Sequence, residues 1–200
     1  MKMNKIKVLA ICGEAGSGKD WLLNQLIERN PETMSRIISY TTRPPRENEK
    51  NGFDYHFVDE KAFTPLVLNG NMLEATSFNG WYYGTPIDTL KPDKINVGVF
   101  NPAGINILFE DSRIEMIVVQ MFVDDKVRLI RQLNREERPN VAEIIRRYQT
   151  DVSDFADFAF EQGDDCIVDF PFCNPYLGIQ DDVCRLEAYL EDRYWLDKNK

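Results

Sequence analysis

The sequence predicts an α/β protein of three layers, in which helices cover both faces of a parallel core sheet. Apolar, β-branched segments alternate along the chain with segments of helical periodicity, and the first strand segment, residues 6–12, ends at a glycine-rich turn. Strands that alternate with helices favour a parallel sheet, whose ligand site lies beyond the carboxyl ends of the strands. With 200 residues, 43% of them hydrophobic, the chain is long enough to bury the core of one domain.

The elements of the core follow in order. After the strand at 6–12, Trp21, Leu22 and Leu26 recur at helical spacing and predict a helix over 18–28. Strands are predicted at 95–100 and 114–123, with a short helix over 103–109 between them, and Asp124 is a candidate N-cap for a helix ending near residue 134. A long helix is then predicted from the apolar stripe Val141, Ile144, Ile145, Tyr148, Val152 and Phe155. A last strand at 166–168 and a terminal amphipathic helix in "QDDVCRLEAYLED" complete the core.

Residues 34–85 have a different character and predict a small β-rich lobe inserted into the core. A short strand at 36–40 leads into "TTRPPRENEKNG", where prolines and polar residues disfavour regular structure. Strand character resumes in "FDYHFV", and Pro65 interrupts a helix candidate over 60–68. "MLEATSF" and "WYYGT" flank an Asn-Gly pair, which is typical of a hairpin. The prediction is one domain over 1–200, with core segments 1–33, 86–134 and 148–200, a lobe at 34–85 and a helical lid at 135–147.

Composition excludes several classes of partner. The formal net charge of -9, from 33 acidic and 24 basic side chains, disfavours binding to a nucleic-acid polymer. His56 is the one histidine and the cysteines form no C-x-x-C pair, which disfavours zinc and favours a reduced, cytoplasmic setting. The apolar N-terminal segment is too short for a membrane span. We therefore expect no membrane contact and small-molecule partners, for a protein that is a monomer or a homodimer.

The stretch "GEAGSGKD" at 13–20 nearly matches the phosphate-binding loop G-x-x-x-x-G-K-[ST]. Glycines let backbone N–H groups converge on phosphate oxygens, and the helix that follows adds its positive end. The last position carries an Asp where the pattern has a hydroxyl, the group that normally sits on Mg²⁺. The predicted nucleotide-binding loop comprises Gly13, Glu14, Ala15, Gly16, Ser17, Gly18, Lys19 and Asp20.

A second stretch, "SYTTRPPRENEKNGFDYHFV", carries two arginines and a tyrosine suited to binding a phosphate. Arg43 and Arg46 lie in a segment that prolines hold out of helix, so their guanidinium groups can clamp one phosphate, with Tyr55 adding a hydroxyl. Together with the glycine loop, Glu74 of "MLEATSF" and the motif "WYYGT", this stretch resembles the GMP-binding signature of guanylate kinases. The motifs of the resemblance extend over about residues 6–155.

The resemblance implies a P-loop NTPase fold and Mg²⁺-dependent transfer of the ATP γ-phosphate to GMP or dGMP, giving (d)GDP and ADP. It implies that Glu74 accepts hydrogen bonds from guanine N1–H and N2–H, which adenine cannot offer as a pair. It further implies phosphate contacts from Arg43, Arg46, Tyr55 and Tyr83, and contacts to the base edge from Ser39 and Thr85.

The segment around "REERPN" concentrates arginines on an acidic protein: Arg131, Arg135, Arg138, Arg146 and Arg147. Ion pairs within a helix account for some of them. In guanylate kinases this region is a mobile lid whose arginines close on the transferring phosphoryl group, and that reaction needs positioning and charge neutralisation. The lid can be aligned in two ways one residue apart. We favour Arg135, Arg138 and Arg146, followed by Arg147, as catalytic partners of Lys19.

The chain departs from the family pattern in two places. Asp20 replaces a hydroxyl, and the strand that ends in two acidic residues in the family reads "NVGVFNPAG" here, with Val99 and Asn101 at those positions. Asn101 can still hydrogen-bond a base, but it brings no charge. Because Mg²⁺ favours one or two carboxylates together with phosphates, we hypothesise that Asp20 holds the metal.

Two alternatives stay open at this point. Ribose bisphosphate phosphokinases share the fold and a "GSGKD" loop, and some viral deoxynucleotide kinases carry similar loops, so the substrate could be ribose 1,5-bisphosphate or another deoxynucleoside monophosphate. The motif "TTRPPR…GFDYHF" together with Glu74 argues against a sugar phosphate. Guanylate kinase domains also occur as non-catalytic interaction modules, but the complete glycine set and Lys19 argue against that class.

Overall fold

The structure is a computed structural model that describes residues 5–46, 49–78, 80–156, 158, 167–173, 180–193 and 195–196. The strands are β1 (Ile6–Gly13), β2 (Met34–Arg36), β3 (Tyr40–Thr41), β4 (His56–Phe57), β5 (Met72–Phe78), β6 (Trp81–Pro86), β7 (Ile95–Val99), β8 (Ile114–Phe122) and β9 (Phe170–Cys173). The helices are α1 (Lys19–Arg29), α2 (Glu60–Leu68), α3 (Pro102–Phe109), α4 (Asp125–Leu133), α5 (Val141–Phe155) and α6 (Gln180–Asp192), with a 3-10 turn at Ile87–Thr89.

The core is a five-stranded sheet of order β2-β7-β1-β8-β9, in which every neighbouring pair is parallel. Successive side chains of β1 point to opposite faces of this sheet. Leu9 and Ile11 pack in one hydrophobic cluster with α1 and α6, whereas Val8 and Ala10 pack in a second cluster with α3. Helices therefore cover both faces, which confirms the predicted three-layer α/β fold.

The lobe is a four-stranded sheet of order β4-β3-β6-β5. The predicted hairpin is present, since β5 pairs antiparallel with β6 and ends with Phe78 opposite Trp81. Gly80 in the turn has φ +78°, a conformation that favours glycine, and Asn79 lies outside the described residues. One boundary needs correction, because β2 pairs with β7 in the core sheet, so the lobe begins after Arg36 and not at residue 34.

Three local expectations were wrong. The last strand is β9 and not 166–168; residues 167 and 168 precede it, and Cys166 lies outside the described residues. Pro65 does not interrupt α2, which is a short helix started by the Asp59 side chain accepting the Ala62 N–H at 2.8 Å. The lid is only partly helical, because residues 135–140 are irregular, with bends at 135–138, and α5 begins at Val141, capped by Asn140.

The helices leave no candidate for a membrane span. Within the described ranges, no helix is both long enough and apolar enough to cross a bilayer.

Candidate active site

The phosphate loop joins β1 to α1 and takes its shape from glycines at positive φ. Gly13, Gly16 and Gly18 have φ of +142°, +82° and +98°. A Cβ on Gly13 would lie 2.8 Å from the carbonyl oxygen of Met121, and one on Gly16 would lie 2.6 Å from the carbonyl oxygen of Arg128. Both approaches are to backbone, which cannot move aside cheaply, so these positions require glycine.

The polar groups of the loop are only partly satisfied. Lys19 Nζ donates to the Glu14 carbonyl at 2.9 Å. Arg131 Nη1 donates to the Gly16 carbonyl at 3.2 Å and Gln132 Nε2 donates to the Ala15 carbonyl at 3.3 Å. Ser17 Oγ is buried and has no hydrogen-bond partner in the part of the chain that the structure describes. Side chains of α4 thus hold the loop carbonyls, while an orphaned hydroxyl fits a ligand with acceptor oxygens.

A buried carboxylate of α5 also reaches the loop. The Ala15 N–H donates to Asp151 Oδ2 at 2.7 Å, and Arg128 Nη1 lies 3.8 Å from the same oxygen. Asp151 is 2% exposed, and burial raises its pKa, although the Ala15 N–H and the charges of Lys19 and Arg128 oppose that rise. Sequence reasoning missed this residue. The available signal was its spacing, because Ile144, Tyr148, Asp151 and Phe155 follow one another along one helical face.

Arg128, which lies on α4, joins the loop to α4 and α5. Its guanidinium is fully buried, with Nη2 2.9 Å from Glu14 Oε1 and 2.6 Å from Asp125 Oδ1. The Tyr148 hydroxyl donates to Asp125 Oδ2 at 2.6 Å, and the Tyr148 ring lies 5.4 Å from Arg128 Cζ. These contacts tie the loop, α4 and α5 into one network.

The two predicted phosphate arginines share an acidic partner. Arg43 donates to Glu49 Oε2 at 2.8 Å and Oε1 at 2.9 Å, and Arg46 Nη1 donates to Glu49 Oε1 at 3.2 Å. The Arg46 backbone N–H donates to the same carboxylate at 2.8 Å. Burial opposes ionisation of Glu49, but these hydrogen bonds hold its pKa below the ordinary value. Sequence reasoning missed Glu49, although its position three residues after Arg46 was a usable signal.

The predicted base site is a buried chain of hydroxyls ending on a carboxylate. Thr85 donates its hydroxyl to Glu74 Oε1 at 2.8 Å, so Ser39 Oγ, 2.8 Å from Thr85 Oγ1, donates in turn to Thr85. Glu74 is 5% exposed, and burial raises its pKa to about 7 against the opposing hydrogen bonds from Thr85. Asn101 caps α3 by accepting the Gly104 N–H at 2.7 Å and donates to Thr76 Oγ1 at 3.1 Å.

One cavity of about 520 Å³ joins these three places. On the loop side it is lined by Gly13, Ala15, Gly16, Lys19, Asp20 and Asp151. On the lobe side it is lined by Ser39, Arg43, Arg46, Tyr55, Glu74, Thr76, Tyr83 and Asn101. Thr85 does not line the cavity, but its hydroxyl donates to Glu74, which does. A phosphate loop, an arginine pair and a buried carboxylate thus face one volume.

The predicted lid arginines fall into two groups, those that line the cavity and those that do not. Arg135 and Arg147 line the cavity, and their charges help to lower the pKa of Arg46 after the larger effects of burial and Arg43. Arg138 and Arg146 are exposed and do not line it, and Arg146 pairs with Glu143 at 2.7 Å. Catalytic roles for Arg138 and Arg146 stay predictions that require movement of the lid.

Asp20 lines the cavity beside Lys19 with an exposed side chain. Across the described ranges, no group of three or more His, Cys, Asp or Glu side chains is arranged to hold a metal ion. A single carboxylate still fits Mg²⁺ where nucleotide phosphates supply further ligands, because this metal keeps several waters and uses few protein groups. The predicted role of Asp20 therefore depends on the nucleotide.

Comparison with known proteins matches the first part of the chain to a family. Residues 5–96 match the family model of guanylate kinase. This segment is guanylate-kinase-like. It contains the loop, the arginine pair, Glu74, Tyr83 and Thr85, whereas Asn101, the lid and Asp151 lie beyond it. The family match therefore ends well short of residue 155, to which the motifs extend.

Individual relatives match comparable lengths of the chain. Over 89 residues the chain is 43% identical to a guanylate kinase of Malacoplasma penetrans (strain HF-2), a match that covers 44% of this chain and 45% of that relative. The guanylate kinase of Schizosaccharomyces pombe (strain 972 / ATCC 24843) is 40% identical over 83 residues, covering 42% of this chain and 41% of its own length. The matches thus span less than half of the relatives' length.

A solved structure extends the likeness of fold to the rest of the chain. The crystal structure of guanylate kinase from Anaplasma phagocytophilum superposes with a TM-score of 0.65 at 21% sequence identity, covering 98% of this chain and 89% of that one. At this identity the superposition shows the fold alone. The superposed part of the chain therefore shares its fold with that guanylate kinase, while the family model matches residues 5–96.

Proposed function

We propose that this chain is a guanylate kinase, a nucleoside monophosphate kinase that transfers the γ-phosphoryl group of ATP to GMP or dGMP. The observation that carries the proposal is the single cavity of about 520 Å³, which the phosphate loop, the arginine pair and the buried Glu74 all line. A kinase for a purine monophosphate needs those three recognition elements within reach of one another.

The lobe side suits the acceptor nucleotide. Arg43 and Arg46 converge on one carboxylate, Glu49, and two guanidinium forks that bind a carboxylate also suit a phosphate. Tyr55 and Tyr83 line the same region and would add hydroxyl donors. Glu74 in its ionised form would accept N1–H and N2–H of guanine.

The reaction is an in-line displacement at phosphorus. A phosphate oxygen of GMP forms a bond to the γ-phosphorus of ATP while the bond from that phosphorus to the β–γ bridging oxygen breaks, and ADP leaves. Lys19, with Arg135 and Arg147 at the cavity wall, would neutralise charge on the transferring group. This chemistry requires no covalent intermediate with the protein.

Magnesium would supply charge neutralisation at the nucleotide phosphates, with Asp20 as its one ligand from the protein. We expect Asp20→Ala to lower kcat about 100-fold, because the other carboxylate of the loop, Glu14, is engaged by Arg128 at 2.9 Å. Calorimetry provides a readout apart from turnover, since Mg²⁺ should strengthen ADP binding to the wild type and have little effect on the variant. Near-normal turnover of Asp20→Ala at low Mg²⁺ would rule out this role.

The decisive experiment is a coupled ATP-turnover assay with GMP, dGMP, AMP, dTMP and ribose 1,5-bisphosphate as separate acceptors. We expect turnover with one or both guanine nucleotides and none with AMP. Activity with ribose 1,5-bisphosphate or dTMP alone would move the assignment to the related kinases. A lack of ATP turnover with every acceptor in the set would contradict the proposal.

The proposal takes small nucleotides as the partners of the site. It also retains the sequence-based expectations of a cytoplasmic protein and of a monomer or homodimer. Light scattering behind size-exclusion chromatography separates those two states, and a larger assembly would contradict both.

A further inference from the structure

Asp151 makes an unusual contact for a group beside a phosphate-binding loop. Its carboxylate oxygen lies 2.7 Å from the backbone nitrogen of Ala15, and both residues line the cavity. Backbone N–H groups in such a loop are the donors that phosphate oxygens use. A carboxylate of the chain itself therefore engages a loop donor on the side where a triphosphate enters.

The neighbouring charges do not bind Asp151 firmly. Arg128 lies 2.9 Å from Glu14 and 2.6 Å from Asp125, but 3.8 Å from Asp151, so its charge is shared with two nearer carboxylates. Lys19 Nζ donates to the Glu14 carbonyl. The shortest hydrogen bond of Asp151 is thus the one to the loop N–H, and a ligand that takes this N–H removes the main polar contact of the carboxylate.

A triphosphate bound by the N–H groups of the loop would lie close to an ionised Asp151, and the two would repel each other. Like charges a few ångströms apart in a poorly solvated site interact strongly. Either the carboxylate withdraws or the nucleotide binds less tightly. Because Asp151 lies on α5 one turn after Arg147, a shift of α5 that carries Asp151 away from the loop would also move this arginine.

We infer that Asp151 is a nucleotide-displaced latch, which holds α5 against the empty phosphate loop and sets the affinity of the loop for nucleotide. Filling the loop breaks the contact between Asp151 and Ala15 and frees α5 to reposition Arg147. The contact between Tyr148 and Asp125 is a second link between α5 and the core, and it does not involve a loop donor. The inference rests on the proposed function only in requiring that the loop bind ATP.

Nucleotide affinity tests the latch. The dissociation constant of the Mg²⁺ complex of a non-hydrolysable ATP analogue is measured by calorimetry, without GMP, for wild type, Asp151→Ala and Asp151→Asn. We expect Asp151→Ala to bind about tenfold more tightly, since the nucleotide no longer displaces a charge-assisted hydrogen bond. Asp151→Asn keeps the size of the side chain without its charge, so its affinity for the analogue should fall between those of the wild type and Asp151→Ala. If Asp151→Ala does not fold, tighter or weaker binding by Asp151→Asn decides the test.

Two control variants separate displacement from general loosening of the helix. Asp154→Asn removes an exposed carboxylate one turn further along α5, and Tyr148→Phe breaks the link to Asp125 while leaving the loop contact in place. Neither should tighten nucleotide binding. Equal or weaker binding by the Asp151 variants, or equal tightening by Tyr148→Phe, would overturn the latch. Absence of analogue binding by the wild type would instead count against the proposed function.

Discussion

The phosphate loop and the arginine pair are the two proposed phosphate sites. Each holds a carboxylate of the chain, yet the two carboxylates are held differently. In the lobe, Glu49 lies within six residues of both arginines and accepts four hydrogen bonds from them. At the loop, Asp151 comes from 136 residues away and accepts one hydrogen bond from Ala15. The lobe contact is local and consists of several hydrogen bonds, whereas the loop contact joins residues far apart in the chain through one hydrogen bond. This difference indicates that Glu49 shapes its site and that Asp151 is displaced from its own.

The largest expected effect tests the loop itself. Lys19→Met should lower kcat about 1000-fold, because it removes the loop cation that is proposed to neutralise the transferring phosphoryl group, without a bulky change. GMP affinity, measured by calorimetry without ATP, should stay near the wild-type value because Lys19 lies on the loop side of the cavity. A large loss of GMP affinity in this variant would show that the two sides are not separate.

The complementary change tests the lobe. Arg43→Lys should raise the KM for GMP about 100-fold, because lysine keeps the charge but loses the fork that donates at 2.8 and 2.9 Å to a carboxylate. The affinity for the ATP analogue should be unaffected. Arg185→Lys on α6, whose side chain is exposed, serves as the matched control, and an equal effect in both variants would contradict the assignment.

Burial of Glu74 predicts a stability effect that depends on pH. Because its folded pKa is raised to about 7 from 4.5, ionising it in the folded protein is unfavourable, so this cost is absent near pH 4.5 and complete above pH 7. Glu74→Gln should therefore exceed the wild type in free energy of unfolding by on the order of 2 kcal/mol at pH 8. Urea titrations across pH should show the advantage vanish towards pH 4.5, and the exposed Glu110→Gln should show no such trend.

The smallest effect sharpens the contrast between the two carboxylates. Glu49→Gln should raise the KM for GMP about fivefold, because the amide cannot accept all the bonds that align Arg43 and Arg46. Neutralising Asp151 should instead tighten the binding of its ligand, the ATP analogue. If Glu49→Gln instead tightened GMP binding, Glu49 would be a displaced group like Asp151, and the distinction between shaping and displaced carboxylates would fail.

Much of the site could be predicted because its signals are local. The loop needs glycines at fixed spacing before a lysine, and the lobe needs two arginines three residues apart in a segment that prolines keep irregular. The structure places residues of both motifs around one cavity. The prediction of a strand at 166–168 was wrong, because a short apolar segment does not fix which residues pair with β8.

The lid helix shows where periodicity misleads. The predicted stripe of α5 included Val141, Ile145 and Val152, which are 49%, 50% and 48% exposed. The residues that turn towards the core are Ile144 and Asp151, 4% and 2% exposed. A carboxylate on the buried face breaks the apolar pattern, so hydrophobicity alone could not find the correct face.

The sequence by itself determined the order of strands and helices, the phosphate loop and the arginine pair, because each depends on neighbours only a few residues apart. Tertiary structure alone decided that Asp151 meets Ala15, that Glu74 is buried and that Arg135 and Arg147 line the cavity while Arg138 and Arg146 do not. Those facts depend on how α5 and the lobe pack on the core. Spacing in the sequence can show which face of a helix a residue occupies, but it cannot show which distant residue that face meets.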